Sequence, residues 1–182
     1  ADLAQADWDR NRIFFAPGLG VAPKPRTKAE ARRRLGIDPD IEVVLTISGG
    51  GGDGFAAAPL GVGARAFPQA RWITVGKLAR DWHATEPSNL SHLGWIDGVE
   101  DHIAAVDLIV ASTGNTTCHQ ILAAGKPWIA VPEWRYFDEQ LFKARALHDA
   151  GAAWHCSMPS SAHAWRDAIV SARATHDPAR QQ

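Results

Sequence analysis

Two short stretches carry residue types that suit phosphate binding. Ser48–Gly54 reads SGGGGDG, and Ser112–Thr117 reads STGNTT. Glycine lets backbone approach a ligand closely, and free N–H groups at a helix start favour an anion. Each stretch follows an apolar run and precedes a helical pattern, so each is expected to open a helix. The spacing Gly49, Gly51, Gly54 satisfies G-x-G-x-x-G. The second strand, however, ends Val75-Gly76-Lys77, without the acidic residue that would hold a dinucleotide's ribose. Gly76-Lys77 and Gly125-Lys126 are followed by Leu and Pro, which excludes a Walker loop. A plain tight turn at Ser48–Gly54 and ordinary N-capping at Ser112–Thr117 are the bland alternatives. A third stretch, Pro132–Gln140, is aromatic, acidic and amide-bearing, suited to stacking on a sugar ring and bonding its hydroxyls. Asp138 and Glu139 there also read as the cap and first turn of a helix.

Other chemistry is weaker. The eight histidines form no HExxH or HxH pattern, so no metal site or cofactor is expected. No G-x-S-x-G elbow surrounds Ser48. Asp53 and Asp138 are the carboxylates that loops could bring together. Cys118 and Cys156 form no CxxC pair and are expected as free thiols of a reducing, cytoplasmic compartment.

The elements that must position these loops alternate. Apolar runs at Ile41–Ser48, Arg71–Val75, Leu93–Ile96, Asp107–Ala111, Trp128–Val131 and, more weakly, Ala152–His155 read as six strands. Helices are expected near Asp53–Phe67, Val99–Val106, Asn115–Ala124, Glu139–Ala150 and Ser161–Ala174. Thr27 and Glu30 form a capping box and Gly36 a stop for one more, Lys28–Leu35. The pattern predicts an α/β, Rossmann-like three-layer sandwich with a parallel sheet of about six strands. Ligands in such sheets bind at the carboxyl ends of the strands. Ile13–Ala16 reads as a short strand and Gly20–Arg26 as an irregular linker. Six cations between Lys24 and Arg34 are either a solvated helix face or an anion-steering patch.

The chain has 182 residues, 46% hydrophobic and 21% charged, which is enough for a real core. Its net charge of −1 argues against a duplex DNA binder, so no nucleic-acid partner is expected. No apolar run approaches the ~18 residues of a membrane span. The chain opens on Ala1 and its single methionine is Met158. The expectation is an initiator removed or a piece of something longer.

Gly94–Ala153 resembles the C-terminal half of GT-B glycosyltransferases, and above all the peptidoglycan lipid-intermediate N-acetylglucosaminyltransferase family. The carrying features are the D-L-I-V strand, the glycine turn, ILAAGKP, V-P before a polar loop, the acidic-Gln pair and ALHDAGAA. SGGGGDG resembles that family's first glycine loop and LGIDPDIEVVL the segment before it. The resemblance implies one lobe of a GT-B fold: residues 28–182 as a domain for a nucleotide-sugar donor, usually a UDP-sugar. Residues 1–27 would be a lead-in from an N-terminal acceptor lobe. It places base and ribose contacts on Trp95, Ile96 and Gln120, where the family normally has a glutamate at the last position. Diphosphate contacts fall on Gly50, Gly51, Gly52, Asp53, Gly114, Asn115 and Thr116, and donor-sugar contacts on Asp138, Glu139 and Gln140. Where plant-type relatives carry a histidine before the second glycine loop, this chain has Ser112.

The implied activity is transfer of a hexosyl-type group to an acceptor hydroxyl. The acceptor site and often the base belong to the other lobe, present in the same chain or as a partner subunit, so this piece alone is expected to be inactive. Any peripheral membrane association would run through that lobe. Lys77 and Arg135 are candidates to help carry the leaving group's charge. A nucleotide-sugar hydrolase, with His119 near the second loop, and a non-catalytic sugar-nucleotide-binding domain are the alternatives. Trp72, Trp128 and Trp154 read as core or support, Trp82, Trp95 and Trp134 as cleft residues, and Trp8 and Trp165 as facing the other lobe. Helix Ser161–Ala174 is expected to pack back toward it.

Overall fold

The computed structural model describes residues 26–49, 52–80 and 85–181. The strand expected at Ile13–Ala16, most of the linker before Arg26, Gly50, Gly51, Trp8 and Trp82 lie outside the described residues.

Six strands form one parallel sheet: β1 (Val43–Ile47), β3 (Arg71–Val75), β5 (Leu90–His92), β6 (Leu108–Ala111), β7 (Trp128–Ala130) and β8 (Trp154–His155). Their order is β5-β3-β1-β6-β7-β8. Counting only these six, that is the 3-2-1-4-5-6 order of doubly wound nucleotide folds, which reverses direction between β1 and β6. Residues alternate between faces as the pleat requires. Val43, Leu45, Ile47, Ile109 and Ala111 enter one core, with Ile103, Ile121 and Ala144 from α3 (Val99–Ala105), α4 (Asn115–Ala124) and α5 (Glu139–Asp149). Val44, Trp72, Leu108, Val110 and Ile129 enter the other, with Leu60 and Ala64 from α2 (Ala57–Ala66) and Trp165, Ala168 and Ile169 from α6 (Ala162–Ala174). Both faces are covered, so the strands are continuously apolar rather than alternating.

The third expected strand falls a few residues early, at Leu90–His92. Its pairing with Trp72–Thr74 is followed by Gly94 at φ 67°, a left-handed turn that ends the extended run. A larger difference follows β1. The glycine loop does not feed a helix directly. Gly54 turns with φ 81°, and a Cβ there would sit 2.3 Å from the Lys77 carbonyl oxygen. Phe55–Ala56 (β2) then pairs with Leu78–Ala79 (β4) in a two-stranded ladder, and α2 starts only at Ala57. Pro59 lies in its first turn, where no N–H is needed.

Trp165 is a second correction. It is fully buried, stacks edge-on against Trp72 with centroids 5.1 Å apart, and donates its indole N–H to the Pro59 carbonyl at 2.8 Å. The burial of Trp165, Ala168, Ile169 and Ala172 at helical spacing fastens α6 to this chain's own sheet. Ser161 caps α6, its hydroxyl accepting from the Ala164 amide at 3.1 Å. Ser161→Ala is expected to cost about 1 kcal/mol, read as a lower urea midpoint at unchanged slope.

The helix α1 (Lys28–Leu35) has its capping box and its left-handed Gly36 stop. Four of the six cations read as a possible steering patch are paired instead, while Lys24 lies outside the described residues. Arg26 and Arg34 pair with Asp101, and Lys28 and Arg32 with Asp107. Asp107 immediately precedes β6, so this cluster lies at the amino ends of the strands, away from the loops that bind ligands in such folds.

Candidate functional site

The loops after β1 and β6 flank the point where the strand order reverses, the position at which doubly wound sheets take their ligand. Ser48 and Ser112 close these two strands and are both buried. The Ser48 hydroxyl donates to the Lys77 carbonyl, and the Lys77 ammonium reaches the Gly52 carbonyl at 3.4 Å. The Ser112 hydroxyl has no hydrogen-bond partner among the described residues and lies 3.4 Å from where a Gly49 Cβ would be.

Gly114 is the N-cap of α4, with no side-chain cap and no acidic residue in the first turn. The N–H groups of that turn therefore keep their partial positive charge uncompensated by any carboxylate of the helix itself. Asn115 and Thr116 are exposed there. A residue the sequence reading did not single out completes this end. The Lys143 ammonium donates both to the Asn115 Oδ1 and, at 3.0 Å, to the Glu139 Oε1. It thereby joins an expected diphosphate residue to an expected sugar residue. Only its i,i+4 spacing from Glu139 was visible in the sequence.

The third loop is held from below. Gln140 is buried; its side-chain oxygen accepts from the amides of Glu133 at 2.9 Å and Thr113 at 3.3 Å, and the Thr113 hydroxyl donates to its carbonyl at 2.7 Å. Gln140 is placed as a clasp between the second and third loops, whereas Glu139 points to the surface. The third loop also meets the first. A Cβ on Gly52 would fall 2.2 Å from a Glu133 carboxylate oxygen and 2.5 Å from the Arg135 guanidinium, so a side chain there would have to displace that ion pair. Above it, Trp134, Tyr136 and Phe137 are exposed, and Trp134 and Tyr136 lean together at 5.1 Å. Phe137 and Asp138 both adopt left-handed backbone, with φ 62° and 52°. Such strain costs of order 1–3 kcal/mol per residue and gathers at binding sites. Asp138 holds the N-cap position of α5 but makes no side-chain cap bond.

On the other side of α4, the Gln120 amide donates to Glu100 Oε1 at 3.1 Å. The two residues line a groove of about 420 Å³ between α3 and α4, together with Gly98 and Lys126. Lys126 gives its protons to the Ala104 and Val106 carbonyls at the end of α3, and burial pushes its ammonium down to about 8. Trp95 is exposed on the turn between Gly94 and Gly98, while Ile96 packs on the core. His119 lies in the second turn of α4, half-buried, with no hydrogen bond or ion pair among the described residues. Burial pushes the Cys118 and Cys156 thiols up to about 11, so neither is a thiolate at neutral pH. No group of three or more metal-ligating side chains occurs among the described residues. No helix among them is long and apolar enough to cross a membrane.

The doubly wound sheet, with its strand order reversing between β1 and β6, has the architecture of one GT-B lobe. Residues 74–161 match the glycosyltransferase family 28 C-terminal domain. The chain is 33% identical over 93 residues to the UDP-N-acetylglucosamine--N-acetylmuramyl-(pentapeptide) pyrophosphoryl-undecaprenol N-acetylglucosamine transferase of Serratia proteamaculans (strain 568), covering 48% of this chain and 26% of that one. Among solved structures it resembles the spinosyn forosaminyltransferase SpnP, with a TM-score of 0.63 at 15% identity over 92% of this chain and 42% of that chain. It also resembles the spinosyn rhamnosyltransferase SpnG solved with thymidine diphosphate, with a TM-score of 0.55 at 20% identity over 78% of this chain and 40% of that chain. The chain thus carries a glycosyltransferase C-terminal-domain pattern on one GT-B lobe, and spans about a quarter of the length of its curated relative.

Proposed function

We propose that this chain is the donor-binding lobe of a glycosyltransferase. It would hold a nucleoside-diphosphate sugar, with UDP as the favoured nucleotide, while a hexosyl-type group passes to an acceptor hydroxyl. The observation that carries this is the uncapped start of α4 at the strand-order reversal, where the buried Ser112 hydroxyl lies 3.4 Å from a Gly49 Cβ position. The family match over residues 74–161 and a neighbour solved with thymidine diphosphate support it.

In this reading the first-turn amides at Gly114–Thr116 receive the diphosphate, and Gly50, Gly51, Gly52 and Asp53 are its further contacts. Preorganised donors stabilise the charge that develops as the nucleoside diphosphate leaves. Trp95 and Ile96 lie at the base, and Gln120 at the ribose. There Glu100 brings a carboxylate beside the neutral amide, able to accept from a ribose hydroxyl. Asp138 and Glu139 face the sugar, with the exposed aromatics of the strained loop beside them. The acceptor and the catalytic base belong to a second lobe, in the same chain or in a partner.

Calorimetric titration of the chain with UDP, thymidine diphosphate and UDP-N-acetylglucosamine tests the reading. Weak binding without turnover is expected. No heat with any of the three at millimolar concentration would refute it.

A further inference from the structure

We infer that Lys143 is a diphosphate-binding residue of this lobe, a cation held in reserve for the leaving group. The inference rests on the donor reading above and extends it to a residue outside the two phosphate loops.

The placement is electrostatically unusual. A helix N-terminus carries about half a positive charge and is ordinarily complemented by Asp or Glu. The first turn of α4 has neither. Instead, α5 presents an ammonium to it, bonded to the side chain of the first α4 residue, Asn115. Glu139 offsets part of this charge, but that carboxylate is well exposed and its pull is weakened by solvent. Two positive ends thus converge on one point. Two residues before the Gly114 N-cap, the fully buried Ser112 hydroxyl has no partner among the described residues and lies 3.4 Å from a Gly49 Cβ position. Such an arrangement weakens the empty fold slightly and becomes favourable when a dianion arrives. The Lys143 stem is only partly exposed, so the ammonium is directed rather than free. Because it touches both Asn115 and Glu139, it lies where the diphosphate meets the donor sugar.

The test is a chemical-shift titration of the full chain with UDP and with uridine, repeated with thymidine diphosphate and thymidine. It is run on the wild type, Lys143→Met and Lys143→Arg. Lys143→Met is expected to bind both diphosphates about tenfold more weakly, to bind the nucleosides as before and to melt no lower than the wild type. Lys143→Arg is expected to regain most of the affinity. Equal diphosphate affinity in wild type and Lys143→Met overturns the inference and leaves the donor reading standing. Parallel loss of nucleoside and diphosphate binding, with a lowered melting temperature, also overturns it, because Lys143 would then be a structural prop. Failure of the wild type to bind either diphosphate overturns both.

Discussion

Replacing Arg32 by alanine is expected to destabilise the fold by about 3–5 kcal/mol, the cost of breaking a buried ion pair from one side. Arg32 is 3% exposed. Its guanidinium donates to the Ala105 carbonyl at 2.8 Å, to the Asp38 and Pro39 carbonyls at 3.0 and 2.6 Å, and to Asp107 at 2.7 Å. Three separate chain segments meet on that one side chain. Arg32→Lys would regain only part of the loss, because one ammonium cannot reproduce the planar fork. Urea denaturation reads both changes; a loss below 1 kcal/mol for the alanine variant would show that water replaces the guanidinium.

The same cluster gives an acid limb. Burial alone would raise the Asp107 carboxyl, but the Lys28 ammonium, the Val43 amide and Arg32 more than offset it and hold the group below its ordinary value. A depressed carboxyl contributes stability above its unfolded pKa, near 4. That contribution is lost as pH falls through the folded value. Stability should therefore drop below about pH 4, and the drop should be shallower in Arg32→Ala.

Asn115→Asp is expected to separate stability from binding. A carboxylate in the first turn of α4 complements the helix and pairs more strongly with Lys143. It should raise stability by about 0.3–1 kcal/mol. The same charge would stand where the diphosphate is proposed to bind. Two like charges about 4 Å apart at an intermediate dielectric repel by a few kcal/mol. UDP affinity should fall by roughly 100-fold while uridine binding is unchanged. A melting temperature that rises with UDP affinity intact would place the diphosphate elsewhere. Both quantities come from one thermal-shift and titration series.

Much of the fold is legible in the sequence. Continuous apolar runs such as Val43–Ile47 and Leu108–Ala111 occur where a strand is covered on both faces, and the capping box and the Gly36 stop bound α1 by local hydrogen bonding. The displaced elements are those decided by distant partners. The delayed start of α2 depends on the pairing of Phe55–Ala56 with Leu78–Ala79, which no local window contains. Trp165 reads from the sequence as facing another lobe, and only its packing against Trp72 shows it as core. At the site, the loops and their phosphate-friendly residue types are apparent from spacing alone. The dual bonding of Lys143, the Glu100–Gln120 pair and the clasp made by Gln140 are not, since each joins residues from separate elements.

The sequence by itself determined an α/β chain with glycine-bearing loops after two of its strands, because strand burial and loop chemistry are written in neighbouring residues. Only the tertiary structure decided which side chains surround those loops. It set the strand order that brings β1 and β6 together, turned Arg26, Lys28, Arg32 and Arg34 from part of a possible steering patch into ion pairs at the far end of the sheet, and laid a lysine against a helix start. Those outcomes depend on which elements pack as neighbours, and packing is a property of the whole chain.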